Sequence, residues 1–216
     1  MAPAGGSSRI AIVHLDESCL GNGREGDNPG GAGGLIEIRT RSGIQRRDIY
    51  LSAPATTNNR MALAGAAETL EALAAKGGRL HVLLVSDSEY LVKGMREWAP
   101  GWERRGWVRK GGAIENLALW QRLVAASRLH ETQLTWVRGH KGHAKNEYAN
   151  DLAILAAREQ RNSIGAVESG FPEWLETKRK KKLYLDYDPD EAFAALEQRM
   201  AAGERFPHSD AAALRR

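Results

Sequence analysis

A chain of 216 residues, 42% of them hydrophobic, can hold one domain of ordinary size with its own core plus an appendage, but two full domains would be a squeeze. The single cysteine, Cys19, excludes an internal disulfide framework; "MAPAGGSS" lacks the basic start and apolar run of a secretory signal, and no window reaches transmembrane length, so a soluble cytoplasmic protein is expected. A formal net charge of +4 and a pI near 9.3 favour anionic partners without naming one.

Residues 1–8 are small and polar and read as a flexible leader. "RIAIVHLD" carries apolar residues on both alternating faces, as a strand buried on both sides would, and delivers Asp16 at its end. After the glycine-rich "GNGREGDNPGG", "AGGLIEIRT" and "IQRRDIYLSA" read as two further strands of an antiparallel meander. From Asn58, Leu63, Ala66, Ala67, Leu70, Leu73 and Ala74 recur at the spacing of one helical face, which Gly77 and Gly78 close. "LHVLLVSD" is a fourth strand with Asp87 at its end, and two or three helices follow, including the basic, tryptophan-rich "GWERRGWVRKGG". "TQLTWVRG" supplies a fifth strand and "NEYANDLAILAAREQ" the last helix of an α/β domain over residues 9–162, a mixed five-stranded sheet flanked by helices. Residues 163–216 read as a charged extension: a linker, the irregular "FPEWLETKRKKKLYLDYDPD", and a short helix in "EAFAALEQRMAAG".

Two aspartates at the ends of separate buried strands repel each other unless a cation lies between them. Asp16 and Asp87 therefore point to a hard divalent ion with oxygen ligands, Mg²⁺ or Mn²⁺, since no Cys and His set has zinc spacing.

The blocks "LDESCLGN", "TTNNRMAL", "SDSEYLVKGM", "GWERRGW", "NLALWQRL", "WVRGHKGH" and "NEYANDLA" stand in the order and at roughly the spacing of type 1 ribonucleases H, which the chain resembles from Arg9 to Gln160. The resemblance implies a ribonuclease H-like fold and divalent-metal-dependent endonucleolytic hydrolysis of the RNA strand of RNA/DNA hybrids. It makes Asp16 and Asp87 metal ligands and His140, on a glycine-flanked loop, the assisting histidine. The family's helix glutamate falls on Ala62, its final aspartate on Asn150, and the glycine after its first aspartate on Glu17.

Three readings of those departures stand side by side. Neighbouring acids, Glu17 and Asp151, replace the lost ligands, with Asn150 offering a neutral carbonyl oxygen. Each acid faces a geometric obstacle: Glu17 should point away from Asp16 on a continuing strand, and Asp151 lies about 100° around the helix from Asn150. Alternatively the chain is a catalytically impaired hybrid-binding module, or the changes were introduced to trap a complex.

The resemblance also carries over substrate contacts. Asn22, Asn58, Asn59, Ser88 and Glu89 match positions that read the minor groove and ribose hydroxyls, Thr57 a position that grips a DNA phosphate, and Trp98 one that packs on a deoxyribose. Trp102, Arg104, Arg105, Trp107, Arg109 and Lys110 form the counterpart of a basic protrusion that meets DNA-strand phosphates. Trp120 and Trp136 read as core and His143 as structural. "KRKKK", Lys178 to Lys182, reads as a solvated run with an accessory grip on nucleic acid as the rival, and residues 163–216 could recruit a protein partner.

Overall fold

The computed structural model describes residues 9–21, 28–139 and 142–209. Its central strand, β1 (Ile10–Cys19), pairs antiparallel with β2 (Gly30–Thr40) and parallel with β4 (His81–Ser86). β3 (Gly43–Ala53) lies outside β2, and β5 (Glu131–Trp136) outside β4. The strand expected to end at Asp16 runs three residues further, because Glu17, Ser18 and Cys19 stay in register with Ala32, Gly31 and Gly30 of β2.

Strand alternation then decides which residues face which layer. Ala11, Val13 and Leu15 join the larger core beneath α1 (Asn58–Ala75) and α4 (Leu117–Ser127). Thr57 caps α1, its hydroxyl accepting from the Arg60 amide at 3.3 Å. On the same side, α2 (Glu89–Lys93) runs through a π-helical turn, Gly94–Trp98, into α3 (Ala99–Arg104). That turn accommodates Trp120, whose ring would lie 2.0 Å from a Cβ on Gly94.

The opposite face carries Ile12, His14 and Asp16, and it is covered by α5 (Ala144–Glu159). α5 seats directly on β2: a Cβ at Gly31 would lie 2.2 Å from the Ala153 carbonyl oxygen, and one at Gly33 2.3 Å from that of Ala149. Two side-chain-free positions thus let a helix backbone reach the sheet beside Asp16.

Beyond Asn162 the structure departs from the sequence reading. Val167 and Glu168 form β6, which pairs with Asp48 and Arg47 of β3, so the sheet is mixed as expected but six-stranded, in the order β5-β4-β1-β2-β3-β6. The stretch expected to be irregular contains α6 (Phe171–Lys180), whose Phe171 and Leu175 are buried with Leu35 and Tyr148. Alternating charge hid an amphipathic helix only ten residues long. α7 (Pro189–Ala201) places Phe193, Leu196 and Met200 against Ile12, Leu83, Val85 and Val137, and Phe206 completes that second core. The chain then crosses to the far edge, where the Trp136 amide donates to the His208 carbonyl at 2.6 Å and Ser209 bridges Trp136. One segment therefore covers both edges of the sheet.

A buried charge cluster ties the segment to the domain. Fully buried Glu37 faces Lys145 Nζ at 2.7 Å and Arg46 Nε at 3.0 Å. Arg46 reaches on to Asp190 at 2.5 Å, and Lys145 donates to the Pro189 carbonyl at 2.9 Å. Such a pair adds little net stability over apolar packing, but removing one partner strands a buried charge, so the cluster fixes how α7 meets α5.

Candidate metal centre

Asp16, Glu17 and Asp87 each present a carboxylate oxygen within 4.8 Å of the others. Asp16 sits on the α5 face and accepts from the Glu17 amide at 2.7 Å and from Asn146 Nδ2 at 3.1 Å. Glu17, opposite in parity, shares the α1 face with Leu15, and its neighbour across the ladder, Ala32, lies under Gly65 of α1. The longer glutamate side chain brings its carboxylate back to the strand end, where the Ser88 hydroxyl donates to it. Asp87 directly follows β4, and Trp136 Nε1 donates to its carbonyl at 2.8 Å. Gly139 passes so close that a Cβ there would lie 2.1 Å from Asp87 Oδ2.

Burial, then the neighbouring Asp87 charge, pushes the Asp16 carboxyl up to about 9 and the Glu17 carboxyl up to about 8. Three acids that resist ionising together are a hard-cation donor set, and a divalent ion relieves both burial and repulsion.

Ala62 is buried in α1, on the side of the sheet that Glu17 faces. Asn150 is half-buried on α5, one turn after Asn146 on the same helical face. Asp151 goes elsewhere: its carboxylate accepts from Trp174 Nε1 at 2.7 Å and pairs with Lys178 at 3.3 Å, both on α6. The expectation that it joins the metal set is corrected by that packing, since the helical step turns it toward the segment after Asn162. Asn146 was missed by sequence reasoning. Its signal was the four-residue spacing to Asn150 on a helix already placed beside Asp16.

Among the expected substrate contacts, Asn58 and Asn59 lie half-buried at the start of α1 beside the exposed Thr57, while Ser88 is buried against Glu17. Glu89, Arg104, Arg105 and Lys110 are exposed. Trp98 and Trp107 pack against the larger core, Trp98 between Tyr90 and Trp102 at centroid distances of 5.8 and 6.0 Å. His140, Asn22 and the leader at residues 1–8 lie outside the described residues. No helix among the described residues is long and apolar enough to cross a membrane.

Comparison with known proteins decides the family. The RNase H family model matches residues 8–158, most of the chain. This chain belongs to the ribonuclease H family. Ribonuclease H from Pelobacter propionicus is 39% identical over 163 residues, 75% of this chain and 93% of that one. The Halorhodospira halophila ribonuclease H is 43% identical over 145 residues, covering 67% and 90%. Among solved structures, LC9-RNase H1, described as a type 1 RNase H with the type 2 active-site motif, is similar at 55% identity and a TM-score of 0.73, over 77% of this chain and 81% of that one. A foamy viral protease–reverse transcriptase solved with an RNA/DNA hybrid shares the fold at 14% identity and a TM-score of 0.56.

Proposed function

We propose that this ribonuclease H hydrolyses the RNA strand of RNA/DNA hybrids with a rearranged carboxylate set, Asp16, Glu17 and Asp87, joined by Asn150 as a neutral oxygen donor. The convergence of those three acids within 4.8 Å carries the reading. Glu17 takes over the task of the family's helix glutamate from the strand side, and the methyl group of Ala62 leaves room for it. The 55%-identical LC9-RNase H1, described as having another type's motif on a type 1 enzyme, is consistent with a set that departs from the type 1 pattern.

Mg²⁺ or Mn²⁺, when bound, supplies Lewis acidity toward the scissile phosphate and lowers the pKa of attacking water. The protein's part is to hold anionic oxygens in place. Asn146 fixes Asp16 from the helix side, Ser88 fixes Glu17, and Trp136 fixes the backbone of Asp87. Exposed Thr57, with Asn58 and Asn59, meets the hybrid at the α1 N-terminus, and Arg104, Arg105 and Lys110 meet the DNA-strand phosphates. His140 assists product departure from the loop after β5.

The test is cleavage of an end-labelled hybrid in Mg²⁺ or Mn²⁺. Cleavage of the RNA strand that Asp16→Asn and Asp87→Asn abolish supports the proposal. Hybrid binding without cleavage by the unaltered chain would establish the binding-module alternative instead.

A further inference from the structure

Between α5 and the segment leading into α7 lies a cleft of about 590 Å³, open to solvent. Its floor is formed by His14 and Asn146, its outer wall by Lys182, Tyr184 and Tyr187, and its far end by Ala192 and Leu196 of α7. Asn146 links it to the metal centre, because the same side chain donates to Asp16.

Two buried polar atoms on that floor lack partners. Asn146 Nδ2 donates to both the Leu15 carbonyl and Asp16, which fixes the amide's orientation and leaves Oδ1 as an acceptor with no donor. His14 is 4% exposed, and its Nδ1 stands 4.0 Å from Glu37, beyond hydrogen-bond reach. Burial keeps that imidazole neutral. The wall is strained as well: Lys182 and Tyr184 hold φ values of 62° and 57°, left-handed backbone that side-chain-bearing residues rarely adopt.

An orphaned acceptor beside a neutral imidazole calls for a ligand hydroxyl that can both give and receive a proton. Aromatic walls suit a base, and exposed Lys182 at the mouth suits a phosphate. The other charged groups are accounted for: Lys145 is held by Glu37, Glu147 accepts from Tyr184, and Asp186 is exposed.

We infer that this cleft is a ribonucleotide subsite, distinct from the metal centre but adjoining it, in which Asn146 and His14 recognise a ribose hydroxyl and Lys182 its phosphate. The choice of ribose rests on the proposed action on RNA; the binding test below needs no cleavage, so the two readings can fail separately.

Uridine 5′-monophosphate and its 2′-deoxy counterpart are titrated into the full chain in EDTA, followed by amide and imidazole NMR. The ribonucleotide is expected to shift the His14 and Asn146 signals and to bind about fivefold more tightly than the deoxynucleotide, the worth of one hydrogen bond. Ala192→Trp, which fills the far end, should abolish both; exposed Lys182→Gln, which cannot unfold the chain, should weaken both. Equal affinity for the two nucleotides, no shift at His14 or Asn146, or binding untouched by Lys182→Gln overturns the inference.

Discussion

Glu17 at the end of β1 and Asp151 in the middle of α5 begin as equivalent candidates, each an acid one residue from a position where the family carries a metal ligand. The structure treats them differently. Glu17 emerges where the strand reaches an open end, so a side chain of wrong parity but extra length can swing back to Asp16 and Asp87. Asp151 emerges from a helix packed on a neighbour, and the turn of the helix hands it to Trp174 and Lys178. A misplaced ligand is recoverable where nothing else competes for it.

Glu17→Gln sharpens that contrast most. It should lower hybrid cleavage in Mg²⁺ about 100-fold or more, at least the scale set by losing a group that supports a metal ligand, while leaving the fold intact by circular dichroism. Ala62→Glu placed on Glu17→Gln should return about tenfold of that loss, because both sites face the same side of β1. A Glu17→Gln enzyme as fast as the original would break the comparison.

Gly139→Ala acts on the third acid without removing it. A Cβ 2.1 Å from Asp87 Oδ2 forces the carboxylate aside, so magnesium affinity measured by calorimetry should fall about tenfold with little change in thermal stability.

Metal-free stability responds to pH with a definite sign. Asp16 and Glu17 retain protons in the folded chain up to about 9 and about 8, whereas the unfolded chain releases them near the ordinary carboxylate values of 3.8 and 4.5. The folded state therefore binds more protons across that window, and its stability falls as pH rises through it. The melting temperature in EDTA should drop between about pH 5 and pH 8.5, and added Mg²⁺ should raise it more at the upper end. Asp16→Asn should flatten the EDTA curve.

The smallest effect belongs to Asp151→Asn. It weakens a half-exposed contact with Lys178 and Trp174, at a cost of about 1 kcal/mol or less, and cleavage should stay within about twofold of the original rate. A large catalytic loss there would return Asp151 to the metal centre.

Much of the fold was legible because the strands and helices up to Gln160 obey simple periodicities that their neighbours reinforce. β1 through β5, α1 and α5 follow from alternation, helical spacing and glycine punctuation. What escaped depends on partners distant in sequence: β6 is two residues long and exists only as an addition to β3, and α6 shows its apolar stripe only against Tyr148 and Leu35. At the site, Asp16 and Asp87 were legible from their strand ends. The reach of Glu17 was not, because alternation argues against it and only the strand's open end overrides that rule. Asn146 went unread because a neutral amide earns notice only once its carboxylate partner is in view.

The capping of both sheet edges by residues 163–209 has a bearing on how the molecule is made. On the ribosome, β5 and the apolar face of Ile12, Leu83 and Val85 emerge well before Phe193, Leu196 and Phe206 that cover them. Until those last turns are synthesised, the nascent sheet presents bare backbone at its rims and an uncovered greasy surface, the state most prone to sticking to other chains. Chaperone dependence and slow, long-range closure are thus built into the order in which this polypeptide is translated.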